Sequence, residues 1–251
     1  GFSDPRGQLF FEISRLILEW GLEDRPRMLI LENVPHLMYG GGGTWFEQVR
    51  RSLRLAGYWF RESSCWVANV KDYTSIPQDR ERLFLVAASR KHFSYNPFVP
   101  PEEPSGGNAT RTITDIVDRS SPSAEEDYLP QDNQYRLMIE EAMAAGESQE
   151  NLYQLRRSYV REKRNGLCPT LTANMGIGGH NIPFVRDAWG IRRLRVSEVA
   201  SLQGFVGTDL FPANMPQHER YRLIGNAACP ALVEIVANQC IRAMDDSHGE
   251  D

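Results

Sequence analysis

A proline–glutamine bend feeds two arginines into an unbroken apolar run. Residues 76–82 read Ile-Pro-Gln-Asp-Arg-Glu-Arg and residues 83–88 read Leu-Phe-Leu-Val-Ala-Ala. Six consecutive apolar residues after a bend predict a buried strand. Residues two apart in an extended segment point the same way, so Arg80 and Arg82 are expected side by side at the entry of that strand. Two guanidinium groups held together can grip a phosphate or a carbonyl with fixed, planar donors. The plainer reading is surface pairing with glutamate, which contributes little.

The remaining periodicity predicts a layered α/β arrangement. Residues 8–20 place Leu9, Ile13, Leu16, Ile17 and Trp20 on one helical face. Met28-Leu29-Ile30-Leu31 reads as a short, buried parallel strand. Trp45 to Ala56 reads as a helix stopped by Gly57, and Tyr58–Val67 and Leu83–Ala88 read as further strands. Residues 96–110 are rich in Pro, Gly and Glu and read as a linker. Residues 111–183 are mixed in character, with a helical stretch near 134–145. Helical patterns return at Ser197–Leu202 and Ala231–Met244.

With 251 residues, 41% of them hydrophobic, the chain can bury a core in one or two domains. No apolar run is long enough to span a membrane, and no charged-then-apolar start suggests a signal peptide. Cys65, Cys168, Cys229 and Cys240 are irregularly spaced and form no C-x-x-C pair. That usage fits a reducing cytoplasm better than a disulfide scaffold or a zinc site. The net charge of −5 argues mildly against nucleic acid. Residues 154–164 run against that average, with five positive charges and one negative, and a basic face on an acidic protein remains compatible with DNA.

Several short segments in fixed order carry a more specific signal. They are Asp4-Pro5-Arg6-Gly7-Gln8-Leu9, Glu32-Asn33-Val34, Gln78-Asp79-Arg80-Glu81-Arg82, Cys168-Pro169-Thr170-Leu171-Thr172, Leu202-Gln203-Gly204-Phe205 and Gly225-Asn226-Ala227-Ala228. Together they resemble the C5-cytosine DNA methyltransferases over most of the chain. The resemblance implies a partial Rossmann-like methyltransferase sheet with helices, plus a smaller mixed target-recognition domain. It implies a division into 1–95 (catalytic α/β), 96–185 (linker and target recognition) and 186–251 (return to the catalytic domain). It also implies methyl transfer from S-adenosylmethionine to C5 of a flipped cytosine in double-stranded DNA, of the bacterial restriction–modification or prophage kind.

Residue by residue, the resemblance makes Glu32 the acid that holds a proton for cytosine N3 in a dry pocket, the alternative being an ordinary strand-end glutamate. Asn33 fixes the following loop. Arg82 meets the base carbonyl, Arg80 a flanking phosphate, and Gln78 braces both. Leu9, Asn226 and Ala227 line the cofactor pocket, although the periodicity suits Leu9 equally as core. Thr170 seats a recognition loop on the DNA backbone, and Asn174 to Gly179 suits close approach to it. Arg156, Arg157 and Arg161, with Tyr153 and Tyr159 interleaved, suit phosphate and base-edge contacts, or simply a solvated helix face.

The family's Gly-rich cofactor turn and the Pro-Cys dipeptide that carries its nucleophile are not in this sequence. The expectation is a truncated form, one subunit of a split enzyme or a degenerate product, inactive alone and completed by an N-terminal fragment or complementary subunit. An inactive DNA-binding or regulatory subunit and a tRNA cytosine-5 methyltransferase are the rival readings. Three positions depart from the family pattern. Arg195 stands at a helix cap where Ser or Thr is usual, Val206 replaces a proline, and Ala228 replaces a valine.

Overall fold

A computed structural model describes residues 5–104, 110–175, 181–207 and 210–246. In chain order the first elements are α1 (Pro5–Glu19), β1 (Met28–Asn33), α2 (Thr44–Leu55), β2 (Tyr58–Trp59), β3 (Cys65–Asn69), α3 (Val70–Tyr73), β4 (Gln78–Asp79) and β5 (Glu81–Ser89). There follow α4 (Arg136–Ala145), β6 (Leu152–Leu155), β7 (Val160–Lys163), β8 (Cys168–Pro169), β9 (Pro183–Arg186) and β10 (Ile191–Arg193). The chain ends with α5 (Val196–Gln203), α6 (Gln217–Asn226) and α7 (Pro230–Asp246). It divides into two compact units. One comprises residues 1–68, 81–103 and 233–251, and the other residues 69–80 and 104–232.

The first unit is organised on β5, which pairs with β1, β2 and β3. Leu83 to Ser89 are all buried, as an uninterrupted apolar strand covered on both faces should be. Leu83, Leu85 and Ala87 join Ile17, Val49, Leu53, Tyr58 and Phe60 in one core cluster. Two expectations are corrected here. First, β1 is antiparallel to β5, with Met28 opposite Ala88 and Asn33 opposite Leu83. It is also only half-buried. An apolar run carries no information about the direction of the neighbouring strand. Second, α1 forms where the periodicity places it, but only one stripe is covered. Ile17 is buried, whereas Leu9 (63% exposed), Ile13, Leu16 and Trp20 are exposed.

The second unit holds the antiparallel sheet β10-β9-β6-β7 and a short parallel pair, β4 with β8. Alternation along β6 divides its side chains between two cores. Tyr153 and Leu155 pack with Ile139 and Met143 of α4, while Leu152 packs with Leu171, Val199, Leu202 and Ile224. The basic run 154–164 is thus a β-hairpin, not a helix face. A buried ion cluster ties β10 to α5. The fully buried Arg192 pairs with Asp187 at 2.9 Å and with Glu198 at 2.8 Å, and it donates to Asp118 O at 2.7 Å. Glu198 Oε2 also accepts the Arg195 backbone N–H at 2.7 Å, so the helix keeps the carboxylate half of a capping box. The stretch Gln217–Asp246 is long and apolar enough to cross a bilayer, yet it breaks at residues 227–229 into α6 and α7.

Glu162, on β7, is a hub of this unit. It accepts from Asn151 Nδ2 (2.8 Å), the Glu147 N–H (2.8 Å), the Ser148 N–H (3.3 Å), Tyr153 Oη (3.1 Å) and Arg164 Nε (3.0 Å). Burial pushes its carboxyl up, but the hydrogen bonds from Asn151, Arg164 and the Ser148 and Glu147 backbone win and hold it at about 2. A carboxylate depressed in the folded state stabilises above its ordinary pKa of roughly 4.3, and that stabilisation is lost as pH falls towards the folded value. An acid titration followed by tryptophan fluorescence and circular dichroism is therefore expected to show wild-type stability falling across that window. In Glu162→Gln the fall across the same window is smaller.

Candidate active site

The pairing register brings Glu32 and Arg82 together. Glu32 lies opposite Phe84, and Arg82, two residues before Phe84, points to the same face as a diagonal neighbour. The result is an ion pair, Arg82 Nε to Glu32 Oε1, at 2.9 Å. It lies at the carboxyl end of β1 and the entry of β5. Burial pushes the Arg82 guanidinium down, and the adjoining carboxylate opposes that. The Glu32 side chain is 26% exposed, so the dry pocket expected around it is not supplied here: β1 has only β5 beside it among the described strands. Asn33 Oδ1 accepts the Val34 N–H at 2.8 Å, which ties down the first residue after the strand.

Arg80 is placed otherwise than expected. β4 and β5 are interrupted at Arg80, and Arg80 belongs to the second unit while Arg82 belongs to the first. Arg80 is 1% exposed. Its guanidinium donates to Leu171 O at 2.7 Å, Gly225 O at 3.1 Å and Ala227 O at 3.0 Å. A side chain so enclosed presents nothing to a phosphate, and the expected phosphate contact is replaced by an internal brace.

Gln78 is likewise fully buried, and it braces Leu171 rather than the arginines. Its Oε1 accepts the Leu171 N–H at 3.1 Å, and its Nε2 donates to Leu202 O at 2.7 Å and Gln203 Oε1 at 3.1 Å. Gln203 closes the circuit by donating to Ala227 O at 2.7 Å. Four segments far apart in sequence are thereby joined in one buried ring of hydrogen bonds, and low polarity around such a ring strengthens each member. Gln203, quoted above within the segment Leu202-Gln203-Gly204-Phe205 but given no role of its own, is a member of it. The signals for it are that segment and an amide set between apolar Leu202 and a helix-ending Gly204. Gly225 permits the closeness: a Cβ there would lie 2.4 Å from the Thr172 carbonyl carbon.

Thr170 Oγ1 donates to Asp79 O at 2.6 Å, which seats the segment after β8 against β4. Asn226 is exposed and Ala227 half-buried at the end of α6. Arg157, Ser158, Tyr159 and Arg161 are exposed around the end of the β6–β7 hairpin. A cavity of about 490 Å³ there is lined by Arg156, Arg157, Ser158, Tyr159, Asn174 and Asn181. Asp4 and residues 176–179 of the glycine-rich stretch lie outside the described residues.

The cysteines are poorly placed for nucleophilic work. Cys168, Cys229 and Cys240 are buried. Burial pushes the Cys65 and Cys240 thiols up to about 12 and also raises Cys168 and Cys229. A thiol so raised is protonated at neutral pH and unreactive.

A sequence-family profile described as C-5 cytosine-specific DNA methylase matches residues 1–242. The chain belongs to that family. Among its relatives, the type II methyltransferase M.Bsp6I of Bacillus sp. (strain RFL6) is 35% identical, over 97% of this chain and 73% of the relative. The type II methyltransferase M1.ScrFI of Lactococcus lactis subsp. cremoris is 28% identical, over 98% of this chain and 59% of the relative. The fold agrees with solved structures. S. pombe Dnmt2 methyltransferase matches with a TM-score of 0.59 at 16% identity, covering 96% of this chain and 70% of that one. A putative DNA modification methyltransferase encoded within an E. coli prophage matches with a TM-score of 0.54 at 20% identity, covering 96% and 75%. The architecture is thus the Rossmann-like methyltransferase fold.

Proposed function

We propose that this chain supplies the base-handling part of a DNA cytosine-5 methyltransferase of the bacterial restriction–modification or prophage kind, working in the cytoplasm. The observation that carries the reading is the 2.9 Å pairing of Glu32 with Arg82 at the carboxyl end of β1, where open α/β sheets place their sites. Cytosine C5 is a poor nucleophile until a thiolate adds at C6, and that addition is easier when N3 is protonated. Glu32 serves N3 as the general acid, and Arg82 offers N–H donors to the neighbouring base carbonyl. Asn33 ties down Val34, the first residue after the strand. The base must leave the duplex to reach them, at a cost of a few kcal/mol.

S-adenosylmethionine provides an electrophilic methyl group when bound. Each candidate residue suits it taken by itself: in the first unit Leu9 is an exposed apolar side chain suited to packing on an adenine, and in the second Asn226 is an exposed amide beside the half-buried Ala227. The thiolate is a different matter. With all four thiols raised by burial, the nucleophile comes from a second segment that carries a Pro-Cys dipeptide and a Gly-rich turn. The exposed apolar residues of α1 support such a partner. The absence of an activated thiol equally supports the second reading, an inactive DNA-binding or regulatory subunit.

Mixing the chain with the matching N-terminal fragment is expected to restore transfer of labelled methyl groups to duplex DNA. A stable complex that transfers none would overturn the enzymatic reading. Preferential labelling of tRNA in a mixed-substrate assay would replace DNA by tRNA as the substrate.

A further inference from the structure

The end of the β6–β7 hairpin holds charge that the fold does not use. Among the described residues, Arg156, Arg157 and Arg161 make no ion pair with a carboxylate, whereas the adjacent Arg164 pairs with Glu147 and Glu162. Beneath them lies Gln154, 2% exposed. It faces Arg161 across the hairpin and Pro183 on its other side. Its Oε1 accepts from Arg161 Nη2 at 2.9 Å and from Arg156 Nη1 at 3.4 Å. Its Nε2 reaches Asn181 O at 3.5 Å. β6 is otherwise Leu, Tyr and Leu, and a buried amide there is costly without hydrogen bonds.

We propose that Gln154 is a positioning residue for sequence recognition, which presets Arg156 and Arg161 so that the hairpin reads a guanine edge in the major groove of duplex DNA. The inference rests on the DNA reading above. Its physical basis is the choice of a neutral acceptor. A carboxylate at position 154 would orient the guanidiniums but cancel one of their two charges. An amide oxygen orients them and leaves the charge and the remaining N–H donors for a ligand. Orientation matters little for a phosphate contact, which positions without specifying. It matters for guanine, whose O6 and N7 must both be met by one guanidinium. Fixing the side chains beforehand also spares ordering entropy on binding. The cavity lined by Arg156, Arg157, Ser158, Tyr159, Asn174 and Asn181 gives a base edge room beside them.

The test is selection from duplex DNA with a randomised central block, followed by affinity measurements on the selected and a scrambled duplex across a salt series. Wild-type protein is expected to enrich a guanine at one or more positions. Gln154→Ala loses that enrichment, with the selected-to-scrambled affinity ratio falling about tenfold, as expected for loss of one bidentate base contact. Its salt slope is unchanged, because no charge is removed. Gln154→Glu keeps the shape but weakens both duplexes and reduces the salt slope by about one. Arg161→Ala, a change at an exposed residue, lowers both ratio and slope. Retention of the guanine preference in Gln154→Ala and Arg161→Ala, or no guanine preference in wild type, overturns the inference alone. Failure of wild type to bind duplex DNA overturns the DNA reading and this inference with it.

Discussion

Replacing Glu32 by Gln in the reconstituted enzyme is expected to reduce methyl transfer by about 10²–10⁴-fold, the usual contribution of a positioned general acid. Glutamine keeps the shape and can still accept from Arg82 across the 2.9 Å contact. It cannot release a proton to a ring nitrogen. The stability change is expected to be small, on the order of 0–1 kcal/mol, because the pair is partly exposed. The prediction separates chemistry from architecture. If Glu32 were only a strand-end partner for Arg82, the substitution would move the melting temperature slightly and leave turnover in place. Single-turnover incorporation of labelled methyl groups, measured beside DNA affinity, decides between them: loss of turnover with intact affinity supports the acid role, and turnover within about threefold of wild type rejects it.

How much of this was legible in the sequence depends on what each signal reports. Periodicity located α1, α2, α5 and α7 to within a few residues, because side-chain spacing alone defines a helical face. It did not reveal which face of α1 is covered, since apolar residues occur on several sides and only the stripe with Ile17 meets the core. It did not give the direction of β1 against β5, since antiparallel and parallel neighbours demand similar apolar strands. The resemblance placed Glu32 and Arg82 in one site, and the register explains their meeting. Arg80 and Gln78 are turned inward, to partners that the resemblance does not name. The acceptors of Arg80 lie 91, 145 and 147 residues away in sequence, and no local pattern encodes such contacts. Gln154 was hidden for a related reason: inside a basic run, a glutamine reads as surface until the hairpin turns it inward.

Arg80→Ala is expected to destabilise the second unit strongly. The substitution removes one guanidinium and leaves the carbonyls of Leu171, Gly225 and Ala227 without their donor. Ala227 O keeps the amide of Gln203 at 2.7 Å, so two buried acceptors lose a partner outright. At about 1–3 kcal/mol for each unsatisfied group, the loss is roughly 2–6 kcal/mol before the cavity is counted, a large share of a typical domain's stability. Arg80→Lys retains the charge but offers one ammonium head where a planar fork now spans three oxygens, and it is expected to recover only part of the loss. Urea unfolding of both variants measures the order wild type, Lys, Ala. DNA affinity provides the contrast, because a phosphate-binding Arg80 would lose affinity and salt dependence with little change in stability, whereas a brace loses stability first. A variant that unfolds like wild type and binds DNA with a reduced salt slope would return Arg80 to the surface role that its burial denies it.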